Sequence, residues 1–469
     1  MAFWDDLERF GSRTAVVTQH GREISYAKLL AQADEIGGAI GKRCLVFSMC
    51  RNSADSVAGY VGFLRRRIVP VLVAEHIASE LLEGLLETYH PAYFYLPSDH
   101  IFPQMRGEPV WRNDSYTLLK LEYEQDYELA DELALLLTTS GSTGSPKLVR
   151  QSWRNIEANT HSIVEYLGIK EGDRAITTLP MHYTYGLSIL QTHLSQGAAV
   201  ILTEASLMDK QFWTLLREQR ATTFGGVPYT YEMLKKLRFG RMELPSLRYI
   251  TQAGGKLSEE MAAEFSDICE QKGIRLIVMY GQTEATARMS WLPWEYAKNK
   301  AGSIGVAIPG GDFRLIAEDG GIIKGAGITG ELVYSGENVT LGYAQSRFDL
   351  NKPDENGGVL YTGDMAKRDE DGFYYIVGRK KRFLKLFGSR VNLDEVEALL
   401  KKQGVDCACT GVDDQMDIYV TDKARLNEAA AFIKKHTSVN HGGFRIHWIE
   451  TIPRNEAGKI LYSELRAEP

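Results

Sequence analysis

Residues 138–147 read Thr138-Thr139-Ser140-Gly141-Ser142-Thr143-Gly144-Ser145-Pro146-Lys147, a hydroxyl- and glycine-dense stretch between the apolar runs 133–137 and 148–149. This composition suits a polyphosphate. Glycines let the backbone curl so that successive N–H groups face phosphate oxygens, the hydroxyls add donors, and the lysine adds a positive charge. Two glycine motifs compete for the stretch and both fail on spacing. A P-loop ends in Gly-Lys-Ser/Thr, whereas Pro146 precedes Lys147 here and Leu148 follows it; a hydrolase elbow needs Gly-x-Ser-x-Gly, and Gly141-Ser142-Thr143-Gly144 is one residue short. As local chemistry alone, the same residues also make an ordinary hairpin turn.

The surroundings of the loop are those of an α/β protein. Ile68-Val-Pro-Val-Leu-Val73 is a β-branched run after a stretch, 54–66, that reads as an amphipathic helix. Trp153, Ile156, Ile163, Val164 and Leu167 recur at helical spacing behind Ser152, an N-cap residue. Arg248-Tyr-Ile-Thr-Gln252 and Arg275-Leu-Ile-Val-Met-Tyr280 read as buried strands, each ending in a glycine motif. Ligands gather at the carboxyl ends of strands in open α/β sheets, so both motifs fall where a nucleotide is expected. From about Gly302 the texture changes to short strands punctuated by glycine, the pattern of a small barrel-like β region.

Composition limits the function. The 469 residues are 44% hydrophobic and 25% charged, with a net charge of -7, enough for two or more domains and without the basic footprint that nucleic acid demands. The amino terminus carries early acids and no apolar leader, and no run is long enough to span a bilayer, so a cytoplasmic protein is expected. Cys44, Cys50, Cys269, Cys407 and Cys409 are odd in number and scattered, which fits reduced thiols; Cys407-Ala-Cys409 reads as two small residues in a strand.

Thr139 to Lys147 resembles the phosphate loop of the adenylate-forming (AMP-binding) superfamily, which includes acyl-CoA synthetases, peptide-synthetase adenylation domains and firefly luciferase. Further matches follow in that family's order: Leu179-Pro-Met-His-Tyr-Thr-Tyr-Gly-Leu187, Ala253-Gly-Gly-Lys-Leu257, Tyr280-Gly-Gln-Thr-Glu284, Gly330-Glu-Leu332, Tyr361-Thr-Gly-Asp364, Gly378-Arg379 and Arg454-Asn-Glu-Ala-Gly-Lys459. The resemblance implies a large multi-layer AMP-binding domain, 1–380, with two α/β subdomains and the small β-barrel region. A small mobile α+β domain, 381–469, follows a hinge at Lys381.

It also implies roles. Thr139, Ser140, Gly141, Ser142, Thr143, Gly144 and Lys147 hold the β- and γ-phosphates of ATP. Thr283 contacts the α-phosphate, Glu284 coordinates Mg²⁺, and Tyr280, with Gly281 and Gln282 beside it, stacks on adenine while Gly254 and Gly255 let the purine approach the backbone. Asp364 accepts from the ribose hydroxyls, helped by Arg379, and Lys385 lies near the acyl phosphate. Lys459 is the catalytic lysine that bridges the attacking carboxylate and the α-phosphate. Tyr183 gates the acyl pocket, which is expected to be aromatic and apolar, built from Tyr183, Tyr185, Gly254, Met279 and Ala287. Tyr183-Thr-Tyr-Gly-Leu-Ser188 lacks the aspartate that pairs with an α-ammonium, so the acid is not expected to be an α-amino acid.

The implied activity is an ATP-dependent acid–thiol ligase, with coenzyme A or a carrier-protein phosphopantetheine as acceptor and Gly388 beside the pantetheine arm. The alternatives are a carrier-protein ligase, as for D-alanine, a non-catalytic nucleotide-binding module, and a luciferase-like oxygenase.

Overall fold

The computed structural model describes residues 3–100, 107–138, 147–386, 389–412, 415–436, 443–454 and 460–465. The chain forms two compact units. The larger takes the described residues up to Asp312 together with Ser335–Leu360, and the smaller takes Phe313–Tyr334 and the chain from Tyr361 onward.

Among the described residues, two sheets carry the larger unit. One runs in the order Val306–Ala307, Ser290–Leu292, Arg275–Tyr280, Tyr249–Gln252, Thr223–Gly226, Arg174–Ile176, Ala199–Ile201, Thr14–Val17, Glu23–Ser25. Its strands from Arg275–Tyr280 to Thr14–Val17 pair in parallel, and antiparallel strands close both ends. The other runs Tyr343–Ala344, Leu148–Ser152, Leu133–Thr138, Val69–Ala74, Leu45–Cys50, Tyr93–Pro97, Tyr116–Leu121, Gly107–Arg112.

The stretch 139–147 joins two antiparallel neighbours of this second sheet, in a register that sets Leu137 opposite Val149 and Thr138 opposite Leu148. The chain then turns into the helix Trp153–Leu167 at the expected cap: Ser152 Oγ accepts from Asn155 N–H at 3.1 Å and Asn155 Oδ1 accepts from Ser152 N–H at 2.8 Å. Helix Ala54–Arg65 departs from the expected amphipathic pattern, because every residue from Ala54 to Leu64 except Asp55 is buried. It is covered on two sides. Gly59 lies against the Tyr95 ring and Gly62 against the Ala33 carbonyl of helix Tyr26–Ile40, so that a side chain at either glycine would collide.

The strands Gly311–Ile316, Gly330–Gly336, Val359–Arg368 and Tyr374–Arg379 form a four-stranded sheet in that order. Its outer strands curl toward each other, with the Tyr374 hydroxyl donating to the Phe313 carbonyl at 3.2 Å. Beyond them lie the hairpin Phe383–Leu386 with Ser389–Asn392, the helix Leu393–Lys402 and a sheet of Cys407–Val412, Gln415–Val420 and Phe444–Trp448. Asp394 and Glu395 occupy that helix's first turn, where negative charge meets the positive end of the helix dipole. Cys407 and Cys409 are buried, unbridged strand residues. In the basic run 379–385, Arg382 pairs with Asp394 at 2.5 Å and Glu397 at 2.6 Å, and Lys380 with Glu331 at 2.6 Å. No helix among the described residues is long and apolar enough to cross a membrane.

Candidate active site

Strands Tyr249–Gln252 and Arg275–Tyr280 lie side by side, Gln252 opposite Val278, and release their glycine turns at the same end. Gly254 sits at φ +82°, and a Cβ there would stand 2.7 Å from the Tyr183 hydroxyl and 3.0 Å from Val227 Cγ1. A Cβ at Gly255 would stand 3.0 Å from Pro228 Cγ, and Gly281 passes the Ala287 carbonyl with no room for a side chain. These glycines are therefore demanded by the protein's own packing. Gln282 Nε2 donates to the Tyr280 hydroxyl at 3.2 Å, and residues 280–284 are all half-buried.

Glu284 lies in the single turn Thr283–Ala285, and residues far down the chain hold it. The Tyr343 hydroxyl donates to Glu284 Oε1 at 2.5 Å, while the Thr340 N–H and hydroxyl both reach the Glu284 carbonyl at 3.0 Å. Asn338 Nδ2 donates to the Ala285 carbonyl at 2.9 Å. Lys147 Nζ stands 4.1 Å from the Tyr343 ring centroid, so one tyrosine touches both the lysine of the loop and the carboxylate. Burial and the Glu284 charge both push the Tyr343 hydroxyl well above the ordinary phenol range, keeping it a donor. Sequence reasoning missed Tyr343 and Asn338, which lie 59 and 53 residues from their partners and belong to no local pattern. No group of three or more His, Cys, Asp or Glu is assembled among the described residues. A single carboxylate still fits Mg²⁺ held mainly by phosphate oxygens and water.

Tyr183 caps the amino end of helix Thr184–Ser195, its ring 6.4 Å from that of Tyr185. Tyr185 is buried, with its hydroxyl 2.7 Å from Thr251 Oγ1 and its pKa pushed up to about 12, chiefly by burial. Tyr185 and Met279 line a small space together with Ile163, Leu167 and Gly225. Met279 Sδ accepts from the Tyr166 hydroxyl at 3.0 Å. Tyr183, Gly254 and Ala287, expected in the same wall, do not line this space. The expectation of an aromatic and apolar wall needs one correction. Arg288, only 3% exposed, lines the same space with its Cζ 4.0 Å from the Tyr185 ring centroid. Arg288 stands two residues before the strand Ser290–Leu292 and two after Thr286, whose φ is +64°.

In the smaller unit, Asp364 is 4% exposed and faces Arg379 across two antiparallel strands, with Arg379 Nε 3.2 Å from Asp364 Oδ1. The expected pair is thus brought together. Lys381 lies in the turn Lys380–Arg382, and Lys385 in the strand Phe383–Leu386 opposite Arg390. Thr139, Ser140, Gly141, Ser142, Thr143, Gly144, Gly388 and Lys459 lie outside the described residues.

A parallel sheet whose strand ends carry glycine turns, with a lysine and a carboxylate gathered on one tyrosine, defines a phosphate-handling α/β enzyme. The chain matches the AMP-binding enzyme family over residues 3–344 and belongs to that family. A 2-succinylbenzoate–CoA ligase of Bacillus pumilus (strain SAFR-032) is 30% identical over 390 residues, 77% of each chain. The o-succinylbenzoate CoA synthetase of Bacillus subtilis, in complex with its acyl-adenylate intermediate, has the same fold at a TM-score of 0.82 and 21% identity, covering 100% of this chain and 99% of that one. The same synthetase with ATP and magnesium ion gives 0.79 at 20% identity over 99% of both. The chain is an ATP-dependent, AMP-forming acid–thiol ligase that works through an acyl-adenylate.

Proposed function

We propose that the acid is an aromatic or otherwise largely apolar carboxylic acid rather than an α-amino acid, and that coenzyme A accepts the acyl group. One observation carries the first part: among the described residues, the wall of the space beside Tyr185 has no carboxylate and has a guanidinium, so a buried α-ammonium would find repulsion in place of a partner. The names of the relatives favour coenzyme A over a carrier protein, and 2-succinylbenzoate is the first acid to try.

The chemistry has two steps. A carboxylate oxygen attacks the α-phosphorus of ATP, the bond to the bridging oxygen breaks, and pyrophosphate leaves. A thiol sulfur then attacks the acyl carbon, losing its proton to solvent or base, and AMP departs with the electron pair of the broken C–O bond. In the first step one anion approaches another, so catalysis is charge neutralisation and positioning. Lys147 and the loop 139–144 would take the β- and γ-phosphates, Thr283 the α-phosphate and Lys459 the developing charge. Glu284, oriented by Tyr343, would hold Mg²⁺, which supplies further neutralisation when bound. Tyr280 would stack on adenine, Asp364 with Arg379 would hold the ribose, and Lys385 would stand near the acyl phosphate. Lys381 would be the hinge, and Gly388 would pass the pantetheine arm.

The test is pyrophosphate release with 2-succinylbenzoate, simple aryl and alkyl acids and D-alanine, followed by mass spectrometry of products with coenzyme A and with a phosphopantetheinylated carrier. Strong turnover of D-alanine with none of the acyl acids would sink the acid assignment. Carrier-only thioester would sink the acceptor.

A further inference from the structure

Among the described residues, Arg288 is the one charged residue in the wall of the space beside Tyr185, and its surroundings leave half of its guanidinium unused. Nη1 donates to the Ala287 carbonyl at 3.0 Å. Nε and Nη2 are buried and have no hydrogen-bond partner in the protein. Arg43, Arg150 and Arg174 also have an unpartnered buried Nε, but each of them has Nη2 bonded, so among the described residues Arg288 alone leaves both nitrogens open. The arginine is held in place by its own backbone. Asn159 Nδ2 and Asn338 Nδ2 donate to its carbonyl at 2.9 and 2.8 Å, and its N–H donates to Asn159 Oδ1 at 3.2 Å.

Nothing in the wall balances the charge. The Tyr185 face offers a cation–π contact worth about 0.5–2 kcal/mol. His193 shares the wall, but burial depresses its pKa and its Nδ1 is 2.8 Å from the Ile189 carbonyl, so it brings no negative charge. Nε–H and Nη2–H point the same way along one edge of a guanidinium, the fork that receives the two oxygens of a carboxylate side-on. A methyl or phenyl terminus would leave two buried donors dry, whereas a carboxylate would satisfy both and neutralise the charge.

We propose that Arg288 reads the far end of the acid: the substrate carries a second carboxylate, which the Nε–Nη2 edge of Arg288 receives while the first is adenylated. This rests on the reading above that the space beside Tyr185 is the acyl pocket. The inference narrows the substrate from largely apolar acids to dicarboxylic acids with an apolar middle.

Matched pairs test it. 2-Succinylbenzoate is compared with 3-benzoylpropionate, the same molecule without the ring carboxylate, and glutarate with pentanoate, each by pyrophosphate release. Wild type should favour at least one diacid over its partner by at least about 10²-fold in kcat/KM, a floor below the roughly 10⁴- to 10⁵-fold by which a site built to hydrogen-bond a polar group rejects an analogue lacking it. In Arg288→Met that ratio should collapse to within about threefold of one, with the KM for ATP unchanged, and Arg288→Lys, with charge but no fork, should fall between. Wild-type ratios near one for both pairs would overturn the proposal without needing any variant. So would a preference that survives Arg288→Met. Pyrophosphate release with the monoacids alone would overturn this inference and leave acid activation standing, whereas no release with any acid would overturn both.

Discussion

Arg150 and Arg288 are both shut away from water in the larger unit, and their donors are committed very differently. Arg150, fully buried, donates from Nη1 to the Lys352 carbonyl at 2.6 Å and from Nη2 to the Leu341 carbonyl and Glu355 Oε2 at 2.7 and 2.6 Å. It ties the strand Leu148–Ser152 to the late segment that completes its sheet. Arg288 makes one side-chain bond, to its own neighbour's carbonyl, and leaves Nε and Nη2 buried without a partner while lining a small space. A buried charge satisfied by the protein is scaffold, whereas one the protein leaves unsatisfied is held for something else.

The largest expected effect tests that contrast directly. Arg150→Met should destabilise the larger unit by about 3–5 kcal/mol, because it takes hydrogen bonds from the Lys352, Leu341 and Pro353 carbonyls and the nearer of its two cations from Glu355. Arg288→Met should stay within about 1 kcal/mol of wild type or gain stability. Urea unfolding followed by tryptophan fluorescence measures both, and equal losses would erase the distinction. Next in size, Lys459→Ala should cut adenylation about 10²- to 10³-fold, roughly 3–4 kcal/mol, with the unfolding midpoint unchanged. Near-normal pyrophosphate release would remove that lysine from the chemistry. Smaller again, Tyr343→Phe deletes a hydrogen bond to a carboxylate, about 1.5–3 kcal/mol if fully expressed, and should raise the Mg²⁺ concentration needed for half-maximal rate. Glu284→Gln should do the same and be partly rescued by excess Mg²⁺; unchanged metal dependence in both would move the ligand elsewhere.

The smallest effect is a matter of pH. Burial alone would raise the pKa of Asp173, but the Arg248 guanidinium, the Lys170 N–H at 2.8 Å and the Thr222 hydroxyl at 2.9 Å outweigh it and hold the carboxyl below its ordinary value. A depressed folded-state pKa gives stability that is fully present above about pH 4 and is lost as pH falls through the lower folded value. Asp173→Asn should therefore cost about 1–2 kcal/mol at pH 7, with the gap to wild type closing below pH 4. A pH-independent gap would mean that the carboxylate charge is not what stabilises.

What the sequence made legible was local. The Ser152 cap and the two strands ending in glycine turns are each written in a dozen consecutive residues, and local physics suffices to read them. The pairing of Asp364 with Arg379 was legible only through family resemblance, since nothing between them marks two facing strands. Tyr343, Asn338 and Arg288 escaped because each acts through one contact or one open edge, and a lone tyrosine or arginine has no period to detect. The burial of helix Ala54–Arg65 escaped for a related reason: small residues such as Gly59 and Gly62 show which faces are crowded only once the neighbours are known.

The segment Ser335–Leu360 also bears on how the chain is born. It returns to the larger unit after the chain has begun the smaller one, pairing Tyr343 with Val149 and delivering Asn338, Thr340 and Tyr343 to the Glu284 turn. At about 5–20 residues per second, a ribosome makes the hydroxyl-glycine hairpin well before the strand that borders it. During that interval the edge of Leu148–Ser152 has no neighbour and Glu284 has no tyrosine. A nascent chain released before residue 335 would therefore present an open sheet edge to chaperones and proteases, and one extended past 360 would not.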